Sequence, residues 1–379
     1  MEQKKHILIV CGESSGDLNA ANLAKAMLAI SPAIKISGIG GGMLREAGAE
    51  IYSDIKELSV MGLFDVLIKL PKFIALKELL LEKLQREKFD AVILVDFSGF
   101  NLRLAKEINK ALPVIYYVSP QVWASRPGRI KDIKKYIHKM IVLFKFEQEF
   151  YKKHSIDADF AGHPLLDIVR PSKTKKEFLR QLNLSESKTT ITLLPGSRNA
   201  EIRNILPVML KASRLIARQI GNIQFVIAKS PNVDIEAYNE EIYGLDLDLK
   251  IVEDKTYDCL NIADFCLVCS GTATLEAAIM EKPFFIIYKM NPLNYLLYRP
   301  QIKIPYIGIV NIVAGKKIVP EFVQWQANPA KISEETVKIL RDASGMEKMK
   351  NELAGIKLLL GDKGASERAA RKILEFIGG

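Results

Sequence analysis

The stretch from residue 263 to residue 288 places small and hydroxylated residues directly after an apolar run. The run Phe265–Cys269 is typical of a buried parallel strand, and Ser270-Gly271-Thr272 ends it. A helix-like segment follows, with Glu276 near its first turn. The free N–H groups and the positive dipole end of a helix start attract phosphate, and a nearby carboxylate can bind sugar hydroxyls. These residues predict a site for a nucleotide or a sugar phosphate.

A second turn, at residues 194–198, carries groups suited to a diphosphate. Pro195 and Gly196 follow an apolar run and are followed by Ser197 and Arg198. Such a turn exposes backbone N–H groups, and a guanidinium offers a planar pair of donors to phosphate oxygens. The alternative interpretation is a surface turn with a solvated arginine. If both turns belong to one domain, we expect them to face the same ligand.

The N-terminal half contains a candidate catalytic carboxylate. Asp96 follows the apolar run Ala91–Val95, and an acid at the carboxyl end of a central strand can act as a general base. A helix cap or a structural carboxylate is the alternative.

Residues 12–17, with the sequence GESSGD, also follow an apolar run and open a helix. Their glycines permit close approach of the backbone to a ligand. The segment matches neither the dinucleotide-binding pattern nor the P-loop, and no acid follows the second strand, which disfavours a nicotinamide-dependent dehydrogenase. An ordinary strand–helix turn capped by Ser15 or Asp17 remains the alternative.

The segment Val60–Leu81 is apolar almost all round, with Lys69, Lys72 and Lys77 as interruptions. A helix of this kind is usually buried, here against a sheet. Lysines interleaved with leucine, isoleucine and phenylalanine also suit a segment that rests on anionic lipid or contacts acyl chains. Both interpretations stay open at this point.

Length and charge narrow the class of protein. A chain of 379 residues with 49% hydrophobic and 26% charged residues is expected to form two globular domains. The excess of 54 Lys and Arg over 44 Asp and Glu gives a net charge of +10, which favours an anionic partner. Because no nucleic-acid-binding module accompanies this charge, anionic lipid or substrate is the better prediction. The absence of a membrane-spanning apolar stretch and of a secretion signal predicts a cytoplasmic protein.

The cysteines and histidines do not predict a metal site. Cys266 and Cys269 have redox or metal-like spacing, but residues i and i+3 of a strand point to opposite faces, and no second pair lies nearby. Buried structural thiols are therefore expected. The four histidines lack ligand spacing, so a zinc site is not expected.

Alternation of apolar runs with helix-like segments predicts two open parallel α/β sheets that are joined near residue 170. The predicted strands are His6–Cys11, Ile34–Ile39, Ala91–Val95, Val114–Val118, Met140–Phe144, Thr190–Leu194, Ile223–Ala228, Leu249–Val252, Phe265–Cys269 and Phe284–Tyr288. The predicted helices of the first half are Asn19–Ile30, Lys72–Arg86, Leu102–Asn109, Arg129–Tyr136 and Glu147–Lys153. Ligands of such sheets bind beyond the carboxyl ends of the strands, so the motifs converge if both domains face one cleft.

In this order and spacing, the motifs resemble those of the lipid-A-disaccharide synthase family, which are inverting glycosyltransferases of the GT-B fold. The resemblance runs over nearly the whole chain. The matching segments are residues 12–17, 59–62, 95–101, 117–124, 162–164, 195–198, 270–276 and 311–315. The chain differs from the family pattern at Ser125, where a second tryptophan is usual, and at Gly99, where a further acid is common. The absence of that acid strengthens Asp96 as the base.

The resemblance implies a fold and a reaction. Two Rossmann-like domains would face a cleft, with an acceptor- and membrane-facing domain at 1–168, a UDP-sugar domain at 169–355, and C-terminal helices at 356–379 that pack on the N-terminal domain. The enzyme would join UDP-2,3-diacylglucosamine to 2,3-diacylglucosamine 1-phosphate, forming a β-1,6-linked disaccharide and UDP. Asp96 would deprotonate the acceptor 6-hydroxyl, and Arg198 would neutralise the leaving group. No cofactor is implied.

The resemblance and the motifs together nominate two sets of residues. Candidates for binding substrate or UDP are Gly12, Ser14, Ser15, Gly16, Asp17, Gly196, Ser197, Arg198, Ser270, Gly271, Thr272, Ala273, Glu276 and Asn311. Candidates for membrane or acyl contact are Val60, Met61, Leu63, Phe64, Leu67, Lys69, Lys72 and Phe73. The protein is expected in the cytoplasm, peripherally associated with the inner membrane, without nucleic acid and with a homodimer left open.

Two other functions fit the same residues. A UDP-sugar 2-epimerase of the same architecture would bind the donor without an acylated acceptor. A non-catalytic protein that binds UDP-sugar or anionic lipid would lack turnover altogether. The coincidence of a nucleotide loop with a strand-end carboxylate disfavours the binding protein, and formation of an epimer from donor alone would identify the epimerase.

Overall fold

The computed structural model describes residues 5–57, 63–108, 112–302 and 304–378, without the side chains of residues 57, 63–69 and 298. The chain divides into two compact units. One unit runs to Asp167 and takes in the chain from Leu360 onward, with a short piece at Gln301. The other comprises Ile168–Pro300 and Ile304–Leu359. Each unit contains its own parallel sheet.

The sheet of the N-terminal unit has its strands in the spatial order 3-2-1-4-5-6-7, with every described pairing parallel. Apart from His6 and Ala91, the central strands β1 and β4 are buried runs of isoleucine, leucine and valine, as expected for a sheet covered on both faces. The strands are β1 (His6–Val10), β2 (Lys35–Gly40), β3 (Glu50–Asp54), β4 (Ala91–Val95), β5 (Val114–Tyr117), β6 (Lys139–Val142) and β7 (Ala158–Phe160). The helices up to the unit boundary are α1 (Ser14–Ile30), α2 (Gly42–Glu46), α3 (Leu63–Arg86), α4 (Ser98–Glu107), α5 (Ile130–Tyr136), α6 (Lys145–Lys153) and α7 (Leu165–Ile168).

The sheet of the C-terminal unit is also parallel, in the order 10-9-8-11-12-13. Its strands are β8 (Thr189–Leu194), β9 (Ile223–Lys229), β10 (Leu249–Glu253), β11 (Phe265–Cys269), β12 (Phe284–Tyr288) and β13 (Glu321–Val323). Its helices are α8 (Lys175–Gln181), α9 (Asn199–Gln219), α10 (Glu236–Ile242), α11 (Thr256–Ile262), α12 (Ala273–Ile279), α13 (Pro292–Tyr298), α14 (Ile309–Ala314), α15 (Pro329–Arg341) and α16 (Ala343–Leu359).

The last helix, α17 (Ala365–Gly378), packs on α1 of the N-terminal unit. Its apolar face is buried, and two polar contacts hold its other side. Lys372 Nζ lies 3.1 Å from an oxygen of Asp159, and Arg368 Nε donates to the carbonyl of Ala161 at 2.9 Å. The C-terminal chain therefore completes the N-terminal unit, as the family resemblance implies.

Every strand predicted from the sequence is present, and β4, β11 and β12 have the predicted ends. The strands β3, β7 and β13 were not predicted. All three lie at sheet edges, are short, and lack the continuous apolar run of a central strand. The helices α1, α3 and α4 begin earlier than predicted, at Ser14, Leu63 and Ser98. For α1 and α4, serine and glycine in the first turn obscured the helix start.

The prediction of buried structural thiols is confirmed. All four cysteines are free and buried, and burial raises the pKa of Cys266 to about 12. Across the described residues, no group of three or more His, Cys, Asp or Glu side chains is arranged to hold a metal ion. No helix in the same part of the chain combines the length and the apolar character that crossing a bilayer requires.

Candidate active site

In the C-terminal unit, the two turns predicted to bind phosphate, at residues 195–198 and 270–272, lie next to each other. Strand β8 pairs in parallel with β11, and Leu194, the last residue of β8, lies opposite Val268, one residue before the end of β11. The turns at residues 195–198 and 270–272 therefore emerge together. This is also where the strand order reverses, the position at which open α/β sheets bind ligands.

Glu201 fixes the turn that contains Arg198. Arg198 Nη1 lies 2.9 Å from Glu201 Oε1, and the N–H of Ser197 donates to Glu201 Oε2 at 2.8 Å. The Arg198 side chain is 45% exposed, so the guanidinium remains accessible to an anion. It also lies near the end of β11: burial and the Glu201 charge raise the pKa of Cys269, whereas the Arg198 charge lowers it. Helix α9 starts directly after Arg198 and adds its positive dipole end.

The turn after β11 is held by two hydroxyl groups. Ser270 Oγ donates to the carbonyl of Ile307 at 2.9 Å, and Thr274 Oγ1 donates to the carbonyl of Gly271 at 2.8 Å. Gly271 and Thr272 are exposed and Ala273 is half-buried, so the backbone at the start of α12 is open to a ligand.

A tyrosine that the sequence did not indicate orients Glu276. The hydroxyl of Tyr257, on α11, donates to Glu276 Oε1 at 3.2 Å. Burial raises the pKa of Glu276, and the bond from Tyr257 opposes that rise. The carboxylate is half-buried. Tyr257 therefore fixes the direction in which this carboxylate points.

Asn311 is buried and fully engaged within the protein. Its Nδ2 donates to the carbonyl of Val319 at 2.9 Å and to Glu321 Oε1 at 2.8 Å. Its Oδ1 accepts from the N–H groups of Ile318 and Val319, at 2.8 and 3.1 Å. These four bonds use the capacity of the amide. Asn311 thus supports the loop that follows α14, and its ligand contact stays a prediction.

In the N-terminal unit the strand order reverses between β1 and β4, where Val10 lies opposite Leu94. Residues 12–17 and the residues after Asp96 leave the sheet at this point. A Cβ added to Gly12 would fall on the ring of Phe97, so the close approach of the two turns requires glycine there. Asn101 Nδ2 donates to the carbonyls of Val10 and Asp96, at 3.3 and 2.9 Å, and ties the two strand ends together.

The backbone around Asp96 is strained. Asp96 and Phe97 both have φ of 48°, and Val118, after β5, has φ of 62°. Left-handed backbone costs a residue with a side chain about 1–2 kcal/mol and is concentrated at functional sites. Hydrogen bonds hold this conformation: the N–H of Asp96 lies 3.3 Å from the carbonyls of Tyr117 and Val118, and the Tyr116 hydroxyl donates to the Asp96 carbonyl. Burial raises the pKa of Tyr116, and the Asp96 charge raises it further, so the carboxylate lies near this hydroxyl.

The residues of the GESSGD segment have different surroundings. Ser14 is exposed and Ser15 half-buried in the first turn of α1, while Gly16 packs against Cys11. Asp17 is 2% exposed, and its carboxylate accepts three backbone N–H groups at the start of α2. The donors are Gly41 at 2.6 Å, Met43 at 3.1 Å and Leu44 at 3.3 Å. These bonds give Asp17 a structural role, and a direct ligand contact stays a prediction.

A buried acid near this site was missed. Glu147, in the first turn of α6, is 3% exposed. Its Oε1 accepts from Ser119 Oγ at 2.7 Å and Trp123 Nε1 at 3.1 Å, and its Oε2 from the N–H of Phe144 at 3.3 Å. Burial raises the pKa of Glu147 to about 7, with these hydrogen bonds opposing the rise. From the sequence alone, Glu147 cannot be told apart from an ordinary exposed acid in the first turn of a helix. Its burial becomes visible only in the folded structure.

The candidates for membrane or acyl contact are partly described. Val60 and Met61 lie outside the described residues, as do the side chains of Leu63, Phe64, Leu67 and Lys69. Lys72 is exposed on α3. Phe73 is half-buried, and its ring packs on those of Phe97 and Phe100, with centroids 5.9 and 6.3 Å apart. Helix α3 therefore borders the turn that carries Asp96.

Two Rossmann-like units, each with polar groups where its strand order reverses, define a glycosyltransferase-type α/β protein of the GT-B fold. Solved structures agree on this fold. The S. aureus MnaA–UDP co-structure has a TM-score of 0.65 at 16% identity, covering 99% of this chain and 97% of that one. The calicheamicin glycosyltransferase has a TM-score of 0.62 at 15% identity, covering 99% of both chains.

Sequence comparison is more specific than fold. The family model for lipid-A-disaccharide synthetase matches residues 7–374. The lipid-A-disaccharide synthase of Syntrophus aciditrophicus is 41% identical over 375 residues, 98% of each chain. That of Myxococcus xanthus is 36% identical over 379 residues, 100% of this chain and 99% of the relative. The chain belongs to the lipid-A-disaccharide synthase family of glycosyltransferases.

Proposed function

We propose that this protein joins UDP-2,3-diacylglucosamine to 2,3-diacylglucosamine 1-phosphate, giving the β-1,6-linked disaccharide 1-phosphate and UDP. The observation that carries the proposal is the match to the family over nearly the entire chain. Family membership at this identity also separates the transferase from the UDP-sugar 2-epimerase, which shares only the fold.

The C-terminal unit takes the donor in this proposal. The adjacent turns at residues 195–198 and 270–272 offer backbone N–H groups, and Arg198 offers an accessible guanidinium beside them. When the bond from the anomeric carbon to the diphosphate breaks, its electron pair passes to the UDP oxygen. Donors fixed where this charge develops stabilise the transition state more than the ground state. Glu276, oriented by Tyr257, is assigned to the ribose hydroxyls.

The N-terminal unit takes the acceptor. Asp96 accepts the proton of the 6-hydroxyl as O6 bonds to the anomeric carbon on the face opposite the leaving diphosphate, so the configuration inverts. General-base assistance of this kind contributes about 10²–10⁴-fold in rate. The left-handed backbone of Asp96 and the bonds from its N–H to the carbonyls of Tyr117 and Val118 support this role, because they fix the backbone from which the carboxylate extends.

The acylated substrates also favour peripheral association with the inner membrane, through α3. Leu70 is 38% exposed and Ile74 48% exposed on this helix, beside the exposed Lys72. Apolar residues flanked by lysine suit the boundary of an anionic bilayer. Co-sedimentation with vesicles that contain anionic lipid tests this association, and light scattering tests the homodimer.

A thin-layer assay with donor and acceptor tests the function. The wild-type protein is expected to give disaccharide and UDP, whereas Asp96→Ala should lose at least about 10²-fold in rate with UDP affinity unchanged by calorimetry. Asp157→Ala, which removes an exposed acid from the same unit, is the matched control. A variant of Asp96 that keeps more than about a tenth of the rate would remove it from the base role. Formation of an epimer from donor alone would indicate the epimerase, and no UDP release with acceptor present would indicate a binding protein.

A further inference from the structure

Three arginines lie on α4 and on the segment directly before α5, beside the turn that carries Asp96. Arg129 Nη1 donates to Ser98 Oγ at 2.8 Å, and Ser98 is two residues after Asp96 and begins α4. Arg103 lies further along α4, and Arg126 begins the short turn that leads to Arg129. Arg103 and Arg126 are exposed and Arg129 is half-buried. We refer to Arg103, Arg126 and Arg129 as the arginine cluster.

The positive charge of this cluster is poorly compensated. Burial lowers the pKa of Arg129, and the charges of Arg126 and Arg103 lower it further, so each of these two guanidiniums repels that of Arg129. The carboxylate that opposes this effect is Asp132, which also pairs with Lys106 at 3.1 Å. Over the described part of the chain, no member of the arginine cluster forms an ion pair. A bound anion would relieve this repulsion.

The start of α4 adds donors at the same place. Phe97 precedes the helix, and its carbonyl accepts the first helical bonds, from the N–H groups of Phe100 and Asn101. The N–H groups of Ser98 and Gly99 therefore have no partner within the helix. Gly99 is exposed, and nothing lies within 4 Å of where its Cβ would stand. These groups are therefore open to a ligand at the positive end of a ten-residue helix.

We propose that the arginine cluster and the first turn of α4 bind the phosphate monoester of the acceptor sugar, while Asp96 meets the hydroxyl at the other end of the same ring. This assignment rests on the proposed function. The acceptor carries its reacting hydroxyl and its phosphate one sugar ring apart, and Arg129 is anchored two residues from Asp96. A guanidinium suits a phosphate because its donors fit two oxygens at once.

The test compares two acceptors, 2,3-diacylglucosamine 1-phosphate and the same sugar without its phosphate. The variants are Arg103→Ala, Arg126→Ala and Arg129→Lys, and Arg86→Ala is the matched control, since it also removes one exposed arginine from the N-terminal unit. For the phosphorylated acceptor we expect kcat/KM to fall about 10–100-fold per guanidinium in the cluster variants. For the unphosphorylated acceptor the variants should equal wild type within about twofold, and Arg86→Ala should equal it with both.

Several results would overturn the assignment. Equal losses with both acceptors would mean that the cluster acts on folding or on the reacting groups, and no loss would mean that the phosphate binds elsewhere. Weaker binding to phosphatidylglycerol vesicles with normal acceptor selectivity would assign the cluster to a lipid headgroup.

If the wild-type protein makes no product from either acceptor, the proposed function is wrong, but the phosphate site can still be tested. Calorimetry then measures phosphate-ester binding to the arginine cluster directly. Glucosamine 1-phosphate should bind wild type and lose affinity about tenfold or more in Arg126→Ala. Equal binding to the two proteins, no binding to wild type, or equally tight binding of inorganic phosphate would refute the acceptor assignment.

Discussion

Gly196→Ala is expected to disturb the turn at residues 195–198 by straining its backbone and displacing Glu201. Gly196 has φ of +124°, a region that residues with a Cβ rarely adopt. An added Cβ would clash with Glu201, lying 2.6 Å from its Cβ and closer still to its Oε2. Because the backbone cannot relax without moving Glu201, the substitution must displace the carboxylate that holds Ser197 and Arg198.

The expected changes in stability and in UDP affinity follow from these contacts. A sparsely populated backbone conformation costs about 1–3 kcal/mol. Loss of the bond from the Ser197 N–H to a carboxylate costs about 1.5–3 kcal/mol, while the half-exposed pair of Arg198 and Glu201 contributes at most about 1 kcal/mol. Together these contributions should lower the free energy of unfolding by about 2.5–7 kcal/mol, the upper end applying only if every contact is lost in full. Misplacing the Arg198 guanidinium should weaken UDP binding about 10–100-fold.

Denaturant unfolding and calorimetry with UDP measure the two effects. Gly221→Ala is the matched control in the same unit, because its φ is not positive and nothing lies within 4 Å of its added Cβ. That control should keep both quantities near wild type. If Gly196→Ala bound UDP with wild-type affinity and unfolded at the wild-type denaturant concentration, the inferred link between Glu201 and Arg198 would be wrong.

Two further substitutions test buried carboxyl groups. Asp17→Ala should lower the free energy of unfolding by about 3–5 kcal/mol, because it strands three backbone donors at the start of α2, whereas Asp157→Ala should change it by less than about 0.5 kcal/mol. Similar values for the two would show that Asp17 does not hold that turn. Burial raises the pKa of Glu147 from 4.5 to about 7, so the folded protein holds a proton that the unfolded chain releases. The free energy of unfolding of the wild type should therefore fall by about 1.4 kcal/mol per pH unit between these two values and change little above them. Glu147→Gln should lack this slope, and parallel unfolding energies of the two proteins from pH 5 to pH 8 would contradict the buried, neutral carboxyl.

The central strands were predictable because a strand buried on both faces of a parallel sheet consists almost entirely of apolar residues. Runs such as Ala91–Val95 and Phe265–Cys269 contain almost nothing but apolar residues, and each ends where small or polar residues begin. The edge strand Ala158–Phe160 has one pairing partner and an acid in the middle. Its extended form depends on pairing with β6, which three residues cannot encode on their own.

For the candidate site, too, some features could be predicted from the sequence and others could not. Asp96 was nominated because it directly follows a buried strand, and Arg198 because it lies in the turn after another. The sheet topology brings their loops next to residues 12–17 and 270–272 respectively. Asp17 and Asn311 were nominated by motif, but the Asp17 carboxylate bonds to backbone groups 24 to 27 residues away. The Asn311 amide bonds to backbone groups 7 or 8 residues away and to the Glu321 carboxylate. No pattern of residue types reveals which polar atoms are already satisfied.

The sequence by itself determined the α/β class, the family and the position of the candidate groups at the carboxyl ends of strands, because apolar periodicity and motif order are properties of the linear chain. Tertiary structure decided which groups act together. Packing across α4 and α5 sets Arg129 beside Ser98, burial moves the pKa of Glu147 towards neutrality, and Tyr257 aims Glu276. Charge interactions and desolvation depend on distances through space, and those distances exist only once the strands have paired.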